Sequence, residues 1–390
     1  MHTRNTIFNQ IAQLLQHHNF RNIVNRYQGD KYTKRLDCWQ QLLIMLYAQI
    51  KGLDNLREIE TSLKAHAEQW QHIGLQSVAR STFSDANRAR SCKIYEDLFF
   101  DFLGKCERLA PRHNFRVDMP VFSYDSTLIN LCLSSFPWAR YRTRKGAMKL
   151  HTLIDHDGYL PSFITMTDGK CHDVRVAKDP INGFPALPPD SILTVDRGYI
   201  DYGWLYSLQD QGITFIVLAK TNMVYTVIGQ HKAPQRKGRI LSDELIELTT
   251  DKGNAYPERL RLIKYYDKEE DRVLTFMTNN FVLAATTIAT LYKGRWQIEE
   301  FFRWIKQHLK IKSFIGTSEN AVMIQVWTAM ILYLLLSFIK FQTKYEFSLL
   351  ELLRVLKEIL FDRSHLIEIL RVNYERLKAL QETPMQMAFL

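Results

Sequence analysis

Between Pro120 and Lys220 the chain alternates short β-prone runs with helix-prone ones, in an order that few architectures accept. Three runs come first: VFSYDSTLI from Val121, MKLHTLID from Met148 and YLPSFITMT from Tyr159. Asp157-Gly158, between the last two, is the chemistry of a tight hairpin turn, because glycine takes positive φ at little cost. A helix-prone piece at Asp173 to Lys178 follows, then a Pro-rich loop (FPALPPD) and the apolar run Ile192 to Val195. That run breaks into Asp196-Arg197-Gly198, and the helix-prone YGWLYSLQDQG leads on to the strand ITFIVLAK.

Three strands with a hairpin, then helix, strand, helix, strand, predict an RNase H-like α/β core: a mixed sheet with flanking helices. After Lys220 the segments RLRLIKYYD and RVLTFMTNN alternate in the β manner, predicting a β-rich insertion at about 221–282 ahead of a helix that starts near Thr286. Before the core, Ile7, Ile11, Leu14 and Leu15 recur at helical spacing, as do Leu42, Leu43, Leu46, Tyr47 and Ile50 up to Gly52. In RSTFSDANRAR, Ser81 is placed to cap a helix displaying Arg88 and Arg90, with Arg80 just before it. Short helices ended by a basic one look like a helix-turn-helix DNA reader. An ordinary bundle face, or a dimerising one, has the same pattern. The resulting division is a helical DNA-binding domain over 1–115, the α/β domain over 116–340 and a helical C-terminal region over 341–390.

Charge narrows the choice of partners. Lys and Arg number 51 against 41 Asp and Glu, a net +10, which suits a polyanion such as DNA, RNA or an acidic membrane face. The five cysteines are scattered with no C-x-x-C pair, which speaks against a disulfide framework or a structural zinc site and fits a reducing cytosol. The first twenty residues lack the apolar stretch of a signal peptide. Ala321 to Ile339 approaches the length of a membrane span, yet it carries Gln325, Thr328 and Ser337 and reads as a buried core helix, with no membrane partner.

Three acids stand where chemistry is expected. Asp125 lies in a strand with apolar neighbours, and Asp196 ends the apolar run before it. An unpaired carboxylate there costs several kcal/mol, so each needs a partner, either an arginine or a divalent cation. In YKGRWQIEEFFRWIK, helical spacing puts Arg295, Glu299, Phe302 and Lys306 on one side, while Glu300 turns about 100° away and reads as structural. Trp296, Phe301, Trp304 and Ile305 require the same helix to pack closely, so its charged stripe needs a purpose.

Asp125, Asp196 and Glu299, with the Tyr292-x-x-Arg295-x-x-x-Glu299-x-x-x-x-x-x-Lys306 spacing, resemble the DDE insertion-sequence transposases that carry the YREK signature. The likeness runs from about Val117 to Ile339 and takes in Lys149-x-His151 and Gly169-x-x-His172-Asp173. It implies a DNA transposase that cleaves transposon ends and joins them to target DNA through two Mg²⁺ ions, for which Mn²⁺ substitutes. Two such ions about 3.5–4 Å apart serve an in-line displacement, and hard cations need only oxygen ligands. By the same resemblance Asp125 bridges both ions, Asp196 holds one and Glu299 the other. Tyr292, Arg295 and Lys306 become DNA contacts, and Trp296 either stacks on a flipped base or is a core tryptophan. His172 and Asp173 cap the following helix or stand behind the ligands. The implied partners are double-stranded DNA, as terminal inverted repeats and target, and a second copy once two ends are held together. The implied location is cytoplasmic, on the bacterial nucleoid. The alternatives are another RNase H-like nuclease and a non-catalytic DNA-binding derivative.

Overall fold

A computed structural model describes residues 5–71, 75, 78–142, 145–179, 185–231, 239–250 and 253–371. In chain order the helices α1 (Ile7–Leu14), α2 (His17–Arg26), α3 (Cys38–Lys51), α4 (Leu56–Ala65), α5 (Ala67–Gln71), α6 (Arg80–Ala89) and α7 (Lys93–Glu107) come first. Strands β1 (Val121–Leu131), β2 (Arg140–Arg142), β3 (Lys145–Asp155) and β4 (Leu160–Asp168) follow. Then come α8 (Asp173–Ala177), β5 (Ile192–Val195), α9 (Tyr202–Asp210) and β6 (Thr214–Leu218). Strands β7 (Tyr225–Gln230), β8 (Ile240–Leu248), β9 (Leu260–Asp267) and β10 (Arg272–Thr278) lead into α10 (Ala285–Gly294), α11 (Trp296–His308), α12 (Glu319–Thr343) and α13 (Leu349–Ile359). The chain divides into two compact units, one of Met1–Ala110 with Trp304–Leu390 and one of Pro111–Arg303.

The helical unit is built round α3 and α12. Asp37 accepts the Gln40 N–H at 2.7 Å and starts α3, while Gly52, at φ +75°, ends it in a left-handed turn. Eleven of the fourteen α3 residues are buried, Gln41 and Gln49 among them, so this helix is enclosed all round rather than on one face. Helix α12 is buried over 89% of its most apolar stretch. Its polar residues are satisfied inside the protein: Gln325 donates to the Lys310 and Ser313 carbonyls, and the Thr328 and Ser337 hydroxyls donate to carbonyls one turn back. Two expectations fail in α6. Ser81 lies inside the helix, which starts at Arg80 behind an Ala79 that makes no side-chain cap. Arg90 is not displayed: it donates to Gln41 at 2.8 Å and to the Leu36 carbonyl, because it anchors the loop ahead of α3. Arg88 is exposed and paired with Asp85, and Arg80 is paired with Glu60. Of the C-terminal region, residues 372–390 lie outside the described residues, as do 1–4 at the other end.

In the α/β unit one ten-stranded sheet runs β2-β3-β1-β5-β6-β10-β9-β8-β7, with β4 on β3. Strand β1 pairs antiparallel with β3 and parallel with β5, which is parallel to β6. The order β4-β3-β1-β5-β6 with these directions is the RNase H-like core. Alternate residues of the central strands go to opposite faces. Phe122, Leu193 and Phe215 pack with Trp204 and Leu205 of α9, whereas Val121, Ile192 and Ile216 pack with Ile288 and Leu291 of α10. The β-rich segment continues the same sheet, because β10 pairs antiparallel with β6 and β9, β8 and β7 follow in turn. Residues 232–238 and 251–252 of that segment, and 180–184 of the Pro-rich region, lie outside the described residues. The turn between β3 and β4 is wider than a two-residue hairpin: Asp155 pairs with Leu160, and Gly158 and Tyr159 both take positive φ.

Candidate active site

The parallel pairing of β1 with β5 places the first two acids. The register matches Ser123 with Thr194 and Tyr124 with Val195, and the next residues are Asp125, still in β1, and Asp196, directly after β5. Neighbouring strands lie about 4.8 Å apart, so the two carboxylates leave adjacent strands at the same level. This is the carboxyl end of β5, where open α/β sheets place their sites. A buried polar lock holds the register: Ser123 Oγ lies 2.7 Å from Thr194 Oγ1 and 2.7 Å from His156 Nε2.

Glu299 arrives from the other side, in the first turn of α11. Helix α10 ends at Gly294, Arg295 sits at its C-cap, and α11 starts at Trp296, so the segment expected as one helix is two. Gly294 lets this end of α10 pack on Phe115, because a Cβ there would run into that ring. Arg295 Nη1 donates to Asp125 Oδ2 at 3.1 Å and Nη2 to Glu299 Oε1 at 2.5 Å, so one guanidinium bridges the two acids. Asp125 also accepts the Ser126 N–H at 2.8 Å. Burial pushes the Asp125 carboxyl up to about 6; Arg295 and the Ser126 N–H pull it down, and the charges of Asp196 and Glu299 add to the upward push. Asp196 makes no side-chain hydrogen bond or ion pair among the described residues. It lines, with Arg197, Tyr292, Lys293, Arg295, Trp296 and Glu299, a cavity of about 520 Å³.

A second layer stands behind Asp125. Ser126 Oγ donates to Asp173 Oδ1 at 2.6 Å, and Lys149 Nζ lies 3.1 Å from the same oxygen. His172 holds the N-cap position of α8 without a side-chain cap bond, and Asp173 braces Ser126 instead. His151 meets Thr167 through Nε2 at 2.8 Å, and burial holds its imidazole below the ordinary value.

The remaining predicted contacts differ in exposure. Tyr292 is buried, its ring centroid 4.9 Å from that of Phe276. Trp296 is 48% exposed, so it is not a core tryptophan; its Nε1 donates to Glu300, which also pairs with Arg303. Lys306 lies two turns beyond Glu299, in the helical unit, where burial and Lys312 lower its pKa. Sequence reasoning missed the bridging role of Arg295 and the cations Arg197 and Lys293 in the cavity wall. The Arg197 signal was available, as the residue directly after Asp196. Among the described residues no three His, Cys, Asp or Glu side chains are grouped closely enough to hold a metal ion as they stand.

Residues 116–335 match the family described as a transposase DDE domain. The chain belongs to the DDE transposase family. It is therefore a DNA-acting enzyme whose chemistry depends on a divalent metal ion. Residues 3–76 of this DDE transposase match a domain of unknown function, DUF4372. It is 32% identical over 263 residues to a putative transposase, y4zB, of Sinorhizobium fredii, covering 67% of this chain and 71% of that one. A probable transposase for insertion sequence element IS5377 of Geobacillus stearothermophilus is 30% identical over 339 residues, covering 81% of this chain and 87% of that one. A putative transposase for insertion sequence element IS4SA of a Synechocystis strain is 25% identical over 321 residues, covering 81% and 88%.

Proposed function

We propose that Asp125, Asp196 and Glu299 are the metal-holding carboxylates of this transposase and that they take two Mg²⁺ ions, Mn²⁺ substituting. The observation that carries the reading is the pairing of β1 with β5, which sets Asp125 beside Asp196, joined with the Arg295 bridge from Asp125 to Glu299. The donor set fits hard cations: all donor atoms are carboxylate oxygens, and Asp196 lines the cavity without a cationic partner of its own among the described residues. Bound there, the ions supply an activated water or 3′-hydroxyl and a stabilised leaving oxygen for in-line displacement.

The protein's own part is electrostatic and positional. Arg295 neutralises Asp125 and Glu299 while no phosphate is at hand, and a DNA phosphate offers its fork an equivalent bidentate acceptor. Its transfer to the phosphate frees both carboxylates at the moment the substrate arrives. Tyr292 and Lys306 are the further DNA contacts, with Tyr292 backing the Arg295 guanidinium at 5.7 Å. Trp296 offers an exposed face for a base displaced from the strand end. The helical segment 1–115 contributes DNA binding, 116–340 the catalysis, and 341–390 the C-terminal helices. Joining two ends requires both to be held at once, so the working form is a dimer on transposon-end DNA, in the cytoplasm at the nucleoid.

The test is strand cleavage and strand transfer on a duplex bearing the element's terminal repeat. Glu299→Gln abolishes cleavage in Mg²⁺ and leaves end binding within about tenfold, because only a carboxylate charge is lost. Full cleavage by this variant would overturn the assignment.

A further inference from the structure

Arg261, on β9, is a guanidinium with no exposed surface. Its Nε and Nη2 fork onto the two carboxylate oxygens of Asp243 on β8, both at 2.8 Å. Nη1 donates the other way, to the backbone carbonyls of Asn280 at 3.1 Å and Leu283 at 2.7 Å. His231, just past β7, donates from Nε2 to the Phe281 carbonyl at 2.8 Å, and its own N–H is held by the Asp243 carbonyl. Side chains of the β-rich extension thus hold three carbonyls of the connector between β10 and α10. Helix α10 has no cap of its own, since Ala284 makes no side-chain bond. At its far end Lys293 pairs with Asp267 and Glu269, which again belong to the extension.

Stability does not account for such a pair. A buried ion pair replaced by apolar residues of similar volume is often no less stable, whereas an apolar residue cannot donate to two carbonyls at fixed places. Helix α10 is a short rigid rod that leads through Gly294 directly to Arg295 and Glu299. A displacement of the connector is therefore carried to the site.

We propose that Arg261, oriented by Asp243, is a positioning residue of the transposase reaction: it clamps the 280–283 connector and so sets where α10 delivers Arg295 and Glu299. The inference rests on the reading of Glu299 given above. The full-length protein is assayed with Mg²⁺ and terminal-repeat duplex, with hydrogen exchange followed over 285–294. The double variant Arg261→Met/Asp243→Leu folds, exchanges faster in α10 than wild type with β1 and β5 unchanged, and loses about 100-fold in kcat with KM for the duplex nearly constant, as misplacement by about an ångström does. His231→Leu removes one carbonyl bond and the imidazole Nδ1 that lies 3.5 Å from Asp243 Oδ2, while Arg261 still forks onto that carboxylate; it lowers kcat severalfold, and His231→Gln restores it. A folded double variant with wild-type kcat overturns the clamp. If the double variant does not fold, wild-type kcat and exchange in His231→Leu overturn it. Glu299→Gln runs beside them: cleavage by that variant removes the carboxylate reading, whereas its inactivity next to a fully active double variant removes the clamp alone.

Discussion

Single side chains here carry measurable consequences. His156 is 1% exposed, and burial, with His113 beside it, lowers its imidazole from 6.5 to about 4. The unfolded chain takes up a proton that the folded one refuses, so the stability from this group is complete above pH 6.5 and is lost as pH falls towards 4. At pH 5 the loss is about 2 kcal/mol. His156→Gln, which keeps a donor for Ser123, should show a smaller drop in urea midpoint between pH 7 and pH 5 than wild type. An equal drop in both would mean that His156 is protonated in the folded chain. Trp296→Ala should weaken binding to a duplex with an unpaired terminal base by about 1–3 kcal/mol, with Trp296→Phe recovering part of it; a fluorescent base analogue at that end reads the change. At this scale the sequence singles out candidate residues and says little about what they touch. Arg295 and Glu299 stand out by helical spacing, and Asp125 as an acid among apolar strand neighbours. That one guanidinium spans both acids, and that Arg90 anchors a loop instead of facing DNA, depends on partners far away in the chain.

Elements were more legible than their joints. Strands β1, β3 and β4, helix α8, strand β5, helix α9 and strand β6 come in the order that alternation and turn residues predicted, because each is patterned locally for a half-buried or buried position. The break between α10 and α11 was not legible: Gly294 reads as a tolerable helix glycine until Phe115, nearly 180 residues earlier, is found against it. Gly294→Ala must push that ring aside and should destabilise the protein by about 1–3 kcal/mol, as overpacking does. It should also tilt α11, so cleavage falls by more than the change in stability accounts for. A thermal melt alongside a nicking assay separates the two, and unchanged nicking would show that the junction has slack. The continuation of the sheet through β10 was likewise hidden, since the alternation within β10 does not name its partner, β6, which lies far back in the chain.

For the molecule as a whole, the charge of +10 and the family membership make DNA the partner, and counterion release makes that partnership salt-dependent. Binding to terminal-repeat duplex should weaken by orders of magnitude between about 50 and 200 mM salt, with random duplex showing a similar slope at lower affinity. Particle masses measured by light scattering on single complexes should show two protein copies only when two ends are present. Two protein copies per particle without DNA, or a single copy with both ends bound, would refute DNA-driven pairing. The division into units has a temporal consequence. Strands β1 and β5 can form their pair once about half the chain has been made, but α11 follows the whole β-rich extension. A nascent or prematurely terminated protein then owns two of the acids and lacks the third. On the site proposed above, DNA cutting then waits for Glu299, about three-quarters of the way along the chain, so synthesis itself sets the order in which the metal-holding acids become available.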